Sequence, residues 1–186
     1  MRTRKERQPR QAGLIFTDEL ALTILAGDKT ETRSPLFRSP KLQAGDSLYG
    51  RVTVAVGDDD VVLYRFMGTS DEELKTRALH WTPAIHAKAE HAPFFMKLVE
   101  VRDEPLHNIT EEQAKAEGVT KQFYMDAAAF VQGIPLSECT YRTGFRNTWE
   151  QLYGRTVHQW HTNPMVRVYR WKEPLFHESI VNSVRS

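Results

Sequence analysis

The order of strand-like and helix-like segments is the feature that most restricts the fold of this chain. Short apolar runs with strand character recur at 14–16, 48–56, 61–66, 94–102 and 165–171. They do not alternate regularly with helical segments, so a doubly wound parallel sheet is not expected. The pattern predicts an α+β fold in which a small, mostly antiparallel sheet closes as a barrel with flanking helices.

Local signals predict the ends of two helices. Thr17 can cap the start of the first helix, and Gly27 can end it in a left-handed conformation. Thr110 and Gln113 have the spacing of a capping box, which opens a second helix that ends near Glu117.

A longer amphipathic helix is predicted at 142–153. Phe145, Trp149 and Leu152 have the spacing of one helix face and are predicted to be buried. One or two further helical turns are predicted at 125–131.

A hairpin is predicted where two strand-like runs follow each other closely. The runs 48–56 and 61–66 are separated by the turn-like segment 57–60, which consists of one glycine and three aspartates. Beyond the hairpin, only a short helix near 71–77 is predicted before the next strand.

Charge is distributed unevenly along the chain. The formal net charge is +1, but residues 1–12 hold five of the 25 basic residues and one of the 24 acidic residues. The remaining 20 basic and 23 acidic residues do not favour binding of a nucleic-acid backbone by the folded body. We predict a disordered tail at 1–12, a domain at 13–175 and a second tail at 176–186. A weak nucleic-acid contact is expected only through the basic tail.

The single cysteine and the short apolar runs restrict the surroundings of the protein. Cys139 is the only cysteine, so neither an internal disulfide nor a cysteine-rich zinc site can form. No apolar run approaches the roughly 20 residues that span a membrane. No apolar segment follows the basic N-terminus, as it would in a secretory signal. We therefore expect a cytoplasmic protein without membrane contact.

The densest polar cluster follows the first helix and runs from Lys29 through Thr32 to Arg33. Threonine is a weak nucleophile that needs a base close by. Lysine serves as a base only where burial or a nearby cation keeps part of it neutral. On this pattern alone, the segment is more typical of a solvated, turn-rich loop.

Glu117 is the second unusual position. It lies in the last turn of its helix, where the negative end of the helix dipole disfavours a carboxylate by about 0.3–1 kcal/mol. A carboxyl group that protonates or orients a substrate would tolerate this cost. An exposed glutamate at a frayed helix end explains the position as well.

Aromatic and histidine residues offer weaker signals. Tyr49 and Trp81 remain open for stacking on a nucleobase, whereas Phe145 and Trp149 have the helical spacing of core residues. The pairs His86 with His91 and His158 with His161 are more typical of surface residues than of metal ligands. We predict neither a metal nor a cofactor.

These motifs together resemble those of ASCH-domain proteins, which are relatives of the PUA-type barrels. Residues 24–33 (ILAGDKTETR) are similar to the family pattern ILxGxKTxTxR, and residues 44–49 (AGDSLY) are similar to aGDxLyv. Residues 106–118 (LHNITEEQAKAEG) are similar to lxdITeedAxaEG. Residues 149–166 resemble the W.siyG and NPwV elements of longer members. The resemblance covers most of residues 13–172 and implies a PUA-like barrel.

The resemblance also implies an activity. Small bacterial members of the family are amidohydrolases that remove the acyl group from N4-acetylcytidine, and the matching catalytic residues here are Lys29, Thr32 and Glu117. Thr32 would attack the amide carbonyl, Lys29 would take its proton, and Glu117 would position the substrate or protonate the leaving amine. Backbone N–H groups in the turn 28–33 would hold the oxyanion. The residues predicted to bind the substrate are Arg33, Tyr49 and Trp81.

Two other functions stay open within this resemblance. The chain could be a module that binds RNA or a modified nucleotide without cleaving it, through its basic tail and the rings of Tyr49 and Trp81. It could also be a ribonuclease that uses Lys29 and Glu117 for phosphodiester cleavage. Our main hypothesis is an amidohydrolase that acts on N4-acylated cytosine nucleosides or bases.

Overall fold

The structure is a computed structural model that describes residues 7–57, 61–123 and 139–185. The chain divides into two compact units. The first unit consists of Met1–Leu22, Pro40–Val99 and Trp171–Ser186. The second unit consists of Thr23–Ser39 and Glu100–Arg170.

The described residues form seven strands in two sheets. The strands are β1 (Gln11–Ile15), β2 (Glu31–Pro35), β3 (Ser47–Arg51), β4 (Val54–Val56), β5 (Val62–Tyr64), β6 (Phe94–Pro105) and β7 (Met165–Phe176). The larger sheet has the order β1-β3-β6-β7-β2, and the smaller sheet pairs β4 with β5. The β1–β3 pair is parallel, whereas the β3–β6 and β2–β7 pairs are antiparallel. The predicted α+β class is therefore confirmed with a mixed sheet. The described pairings leave β1 and β2 as sheet edges and include no barrel closure.

Five α-helices accompany the strands in the described part of the chain. They are α1 (Asp18–Leu25), α2 (Asp71–Thr76), α3 (Glu111–Ala116), α4 (Tyr141–Tyr153) and α5 (Glu178–Arg185). None of them is long and apolar enough to cross a membrane.

The predicted ends of α1 and α3 are confirmed. Thr17 Oγ1 accepts a hydrogen bond from the Leu20 N–H at 3.3 Å, and Gly27 has a left-handed φ of 81° after α1. Thr110 and Gln113 form the complete capping box at the start of α3. These signals are informative because each one acts within a few residues. A cap accepts hydrogen bonds from the free N–H groups at the helix start, and a left-handed glycine ends the helix.

A cluster of buried apolar side chains forms the core of the second unit. Its members are Leu106, Ile109, Ala114, Phe145, Trp149, Trp160, Val166 and Val168. The prediction that α4 buries Phe145 and Trp149 is confirmed, but Leu152 is 43% exposed and that prediction is wrong. The buried stripe continues in steps of four, so Tyr153 packs on Trp149 with ring centroids 4.5 Å apart.

Several predicted boundaries in the first unit differ from the structure. The run 48–56 is divided between β3 and β4, which belong to different sheets. The β4–β5 hairpin is present, and most of its predicted turn lies at 58–60, outside the described residues. The helical turns predicted at 125–131 also lie outside them.

The predicted tails contain regular structure. β1 begins at Gln11, and the Arg7 guanidinium forms two hydrogen bonds with the Asp46 carboxylate at 2.9 and 2.8 Å. α5 occupies most of the predicted C-terminal tail at 176–186. The domain boundaries at residues 12 and 175 therefore cut through β1 and β7.

Candidate active site

The polar segment after α1 is a buried strand. All five residues of β2 are buried, and the strand pairs antiparallel with β7. Lys29, two residues before β2, is only 1% exposed. The solvated loop favoured by the pattern alone is therefore wrong. The pattern fails because the charged side chains of β2 are compensated by carboxylates and a guanidinium group from β6 and the end of α3, rather than by alternation with apolar residues.

Main-chain and side-chain contacts join Lys29 to Glu117. The two backbones form an antiparallel bridge. Lys29 Nζ donates to Glu117 Oε2 at 2.7 Å and to the Glu117 main-chain oxygen at 2.8 Å. Its third hydrogen bond goes to the Glu31 main-chain oxygen at 2.9 Å. Glu117 is 3% exposed, so the alternative of an exposed glutamate at a helix end is wrong.

Gly118 permits this close approach. Its φ of 79° lies in the left-handed region, where a residue with a Cβ is strained. A Cβ at this position would lie 2.6 Å from Thr23 Oγ1 and 2.9 Å from Lys29 Cβ. Glycine at 118 therefore lets the chain after Glu117 pass directly against Lys29.

The hydrogen bonds of Lys29 define its resting charge state. All three partners of Nζ are acceptors, which matches the three N–H groups of an ammonium. Burial lowers the pKa of Lys29, and the nearby Glu117 carboxylate opposes this shift. The resting site therefore holds an ammonium that gives up a proton more readily than an exposed lysine does.

Arg33 connects this pair to further carboxylates. Its side chain is 0% exposed, and Nη1 lies 2.9 Å from Glu117 Oε1 and 2.6 Å from Glu31 Oε1. Nη2 lies 2.9 Å from Glu104 Oε1 and 3.1 Å from Gln113 Oε1. Burial would lower the pKa of Arg33, but Glu117 and Glu31 outweigh burial and raise it. Arg33 Nε is buried without a hydrogen-bond partner among the described residues.

The charged cluster continues outward along β6. Arg102 contacts Glu104 at 3.0 Å, Glu100 at 3.0 Å and Glu31 at 3.3 Å, and Arg170 contacts Glu100. Four cations and four carboxylates thus form one network, whose members are Lys29, Arg33, Arg102, Arg170, Glu31, Glu100, Glu104 and Glu117. We call these eight residues the charge network. Its formal charges cancel, which reduces the cost of burial.

Sequence analysis missed Glu31, Glu100, Arg102 and Glu104 as members of this cluster. Their signal is a period of two in charge: Glu31 and Arg33 alternate along β2, and Glu100, Arg102 and Glu104 alternate along β6. Residues two apart on a strand share one face. A search for alternating opposite charges would have found both strands.

Thr32 lies beside the pair but is not bonded to it. It is 5% exposed, and strand alternation places it with Ser34 on the face of β2 opposite Glu31 and Arg33. Within the described residues, no hydrogen bond joins the Thr32 hydroxyl to Lys29 or Glu117. Because Lys29 Nζ bonds the oxygen of the Glu31–Thr32 peptide, standard bond lengths place Nζ within about 6 Å of the Thr32 Cα.

Tyr153 lies close to the Thr32 face of β2. Ser34, Glu117 and Arg38 are close enough to the Tyr153 hydroxyl to affect its pKa. Burial raises the pKa of Tyr153, so the phenol stays protonated at neutral pH. Sequence analysis did not propose this residue, although it belongs to the motif at 149–154.

The remaining predicted site residues lie in the first unit. The Tyr49 ring is 6.3 Å from the Phe95 ring, and Trp81 Nε1 donates to Asp71 Oδ1 at 2.8 Å. Both aromatic residues are half-buried. Their part in substrate binding stays a prediction.

Part of the predicted oxyanion site is already in use. The N–H groups of Asp28 and Lys29 both donate to the Thr23 oxygen, and the Thr30 N–H donates to the Ala116 oxygen. These three amides stabilise the main chain around the Lys29–Glu117 bridge. Residues 31–33, the rest of the segment expected to hold an oxyanion, belong to β2 and pair with β7.

Within the ranges 7–57, 61–123 and 139–185, no group of three or more histidine, cysteine, aspartate or glutamate side chains is placed to hold a metal ion. The described residues define an α+β chain whose second unit holds a network of charged side chains with no net formal charge.

Comparison with known proteins adds a distant structural neighbour. No protein-family model matches the chain, and no curated protein matches it. Among solved structures, the chain is similar to the crystal structure of protein EF3133 from Enterococcus faecalis V583, whose title assigns it to DUF984. The alignment has 11% identity and a TM-score of 0.43, and it covers 92% of this chain and 83% of that one.

Proposed function

We propose that this chain is an ASCH-type amidohydrolase that removes the acyl group from N4-acylated cytosine nucleosides or bases. The observation that carries the proposal is the enclosed pair of Lys29 and Glu117, with Nζ 2.7 Å from Oε2. The family motifs match these two residues and Thr32. Burial of an amine beside a carboxylate gives a pair that can exchange a proton, as acyl transfer requires.

The reaction runs through an ester on Thr32. Lys29 passes a proton to Glu117 Oε2, and its neutral amine then accepts the hydroxyl proton of Thr32 as Oγ1 attacks the amide carbon. The C–N bond breaks, and the leaving cytosine amine takes a proton from the pair. Water then hydrolyses the ester and releases the acid. The sum is one amide and one water converted to an amine and an acid.

This mechanism requires the site to open. Lys29, Thr32 and Glu117 are at most 5% exposed, so a nucleoside reaches them only when the covering residues move. Lys29 must also give up one of its three hydrogen bonds to accept the proton of Thr32. Enclosure has a chemical benefit, because exclusion of water strengthens the electrostatic interactions in the site.

The nucleophile is tested with two matched threonine variants. Thr32→Val keeps the size of the side chain but removes the hydroxyl. Thr30→Val makes the same change two residues earlier in the segment. We expect T32V to release no acetate from N4-acetylcytidine and T30V to keep at least a third of the wild-type rate. The measurement follows the ultraviolet spectrum of the nucleoside, which changes on deacylation.

Equal rates for T32V and the wild type would exclude Thr32 as the nucleophile. A wild-type protein inactive on N4-acylated cytosine, cytidine and cytidine monophosphate would remove the proposed function altogether. Thermal unfolding of both variants shows whether a lost rate reflects a lost fold.

A second candidate function is the binding of single-stranded nucleic acid, and one surface of the second unit favours it. Lys115 Nζ and Lys121 Nζ lie 6.0 and 5.3 Å from the centroid of the Tyr141 ring. Arg142 follows Tyr141 and lies 5.8 Å from the Trp160 ring. Both lysines and Arg142 are exposed. Cations interleaved with aromatic rings are typical of surfaces that bind single strands.

Charge reversal on this surface tests the second candidate. Lys115→Glu with Lys121→Glu is compared with Lys75→Glu and Lys88→Glu, two exposed lysines of the first unit that give the same change in net charge. If the surface binds RNA, only the first pair of substitutions makes the plot of log binding constant against log salt concentration less steep. The expected change in slope is about 1.4 for two lost contacts with a single strand. Fluorescence anisotropy of a labelled single strand measures this slope. Equal losses in both pairs would show a general effect of net charge.

A further inference from the structure

Arg33 contacts three of the four carboxylates in the charge network. Sequence analysis predicts that this residue binds substrate. In the structure its side chain has no exposed surface, and four acceptor residues surround it: Glu31, Glu104, Gln113 and Glu117. A group in this position acts on the chemistry through its neighbours.

Arg33 holds both ends of α3. Gln113 lies in the first turn of this helix, and Glu117 is its C-terminal cap. The two residues are four apart and therefore project from the same side of the helix. Arg33 Nη2 bonds Gln113 at 3.1 Å, and Nη1 bonds Glu117 at 2.9 Å. One rigid guanidinium thus sets the position of the short helix against β2.

The carboxylate of Glu117 is divided between two cations. Oε1 accepts from Arg33, and Oε2 accepts from Lys29. Because Arg33 occupies one oxygen, the other is directed at the lysine amine. Rotation of the carboxylate would break both contacts at once.

Arg33 is itself held in place from β6. Glu104 accepts from Arg33 through Oε1, while its Oε2 accepts from Arg102 Nε at 3.0 Å. Burial would raise the pKa of Glu104, but the hydrogen bonds from Arg102 and Arg33 outweigh burial and lower it. Glu104 therefore stays ionised and fixes the guanidinium. The Phe145 ring, 5.9 Å from the guanidinium carbon, packs against it from the core.

We propose that Arg33 is a positioning residue that aims Glu117 at Lys29 and that Glu104 and Gln113 hold it in that role. The catalytic part of this proposal rests on the proposed amidohydrolase function. It assigns Arg33 no contact with the substrate, which distinguishes it from the expectation of sequence analysis.

The electrostatic part of the role concerns Lys29. The charged groups that face Lys29 are Glu31 and Arg33 from β2 and Glu117 from the end of α3. The positive charge of Arg33 favours the neutral amine of Lys29, and the two glutamates favour the ammonium. Loss of the Arg33 charge should therefore raise the pKa of Lys29 and move the basic region of the pH–rate profile to higher pH.

Three variants separate position from charge. Arg33→Lys keeps the charge but loses the forked contact, so we expect kcat to fall about 10-fold or more with the pH profile unchanged. Arg33→Gln loses both, so kcat falls about 100-fold or more and the profile moves to higher pH. Glu104→Gln leaves Arg33 in place with a weaker hold, and its kcat falls less than that of R33K. KM stays within about threefold in all three variants.

The decisive readouts are the split between kcat and KM and the titration of Lys29 followed by NMR of its side chain. A raised KM with an unchanged kcat would overturn the proposal, because it would show that Arg33 binds substrate. An identical Lys29 titration in the wild type, R33Q and R33K would also overturn it. The NMR experiment needs no turnover, so it decides the role of Arg33 even if the amidohydrolase proposal fails. If R33Q does not fold, R33K and E104Q still supply the split between kcat and KM, and a raised KM with an unchanged kcat in R33K overturns the proposal.

Discussion

The two units contain ion pairs in different surroundings. Lys29 and Glu117 in the second unit are 2.7 Å apart with side chains 1% and 4% exposed. Lys75 and Glu72 in the first unit are 3.3 Å apart with side chains 73% and 81% exposed. An exposed pair contributes about 0–1 kcal/mol, because water already solvates both charges. A buried charge has lost that water and depends on its partner. The exposure of the two side chains therefore separates these pairs more than their lengths do.

The largest effect is expected from Lys29→Met, which leaves Glu117 with Arg33 as its only cation. We expect a loss of about 3–5 kcal/mol in the free energy of unfolding, the typical cost of removing one partner of a buried ion pair. Urea unfolding at pH 7 measures it.

The control for this prediction is the double variant Lys29→Met with Glu117→Gln. Removing both charges should recover more than 1 kcal/mol of the loss, because neither partner is then left unpaired. A loss below 1 kcal/mol in K29M alone would show that the pair is solvated in solution, and the comparison between the units would fail.

Asp46 in the first unit is an intermediate case, because its carboxylate is buried while its cation is half-exposed. Hydrogen bonds from Arg7 lower the pKa of Asp46 despite burial, with help from the N–H groups of Arg10 and Gln43. We expect Asp46→Asn to cost about 1.5–3 kcal/mol at pH 7, as estimated from the hydrogen bonds to a charged group.

The pH dependence of this loss has a definite sign. A carboxylate whose folded pKa is below its unfolded value of about 3.9 contributes stability above that value and loses it as the pH falls further. The difference between the wild type and D46N should therefore shrink below pH 4. Arg7→Gln keeps both main-chain hydrogen bonds and should cost less than D46N at pH 7. A difference between the wild type and D46N that grows in acid would contradict this assignment.

The smallest effect is expected from Lys75→Gln in α2. Its contact with Glu72 is exposed, so the free energy of unfolding should change by no more than about 0.5 kcal/mol. Differential scanning calorimetry at low and high salt measures this. A change above 1 kcal/mol would remove the contrast between exposed and buried pairs.

Much of the local structure could be predicted because its causes lie close together in the sequence. Thr17 and Gly27 define the ends of α1, and the Thr110–Gln113 capping box opens α3. Each signal acts over a few residues. The resemblance to ASCH proteins pointed to Lys29 and Glu117, and the structure places these two residues in contact.

The rest depended on contacts between distant segments. β2 lacks apolar alternation, so its burial follows only from carboxylates and guanidinium groups contributed by β6 and α3. The division of 48–56 between two sheets likewise depends on which partner each half finds. The prediction for Leu152 failed for a more local reason. Steps of three and of four residues from Trp149 both stay on one helix face, so the spacing alone fits either residue 152 or residue 153. The packed core decides for Tyr153.

The requirement for glycine at position 118 can be measured with a library of all substitutions at that position. Because a Cβ there would meet both Thr23 and Lys29, position 118 should accept glycine alone among the twenty residue types when variants are selected for folding. Its neighbour Val119, which packs on the edge of the core, should accept other aliphatic residues. The number of accepted residue types would therefore drop sharply from position 119 to position 118. The restricted position would mark where β2 and α3 meet.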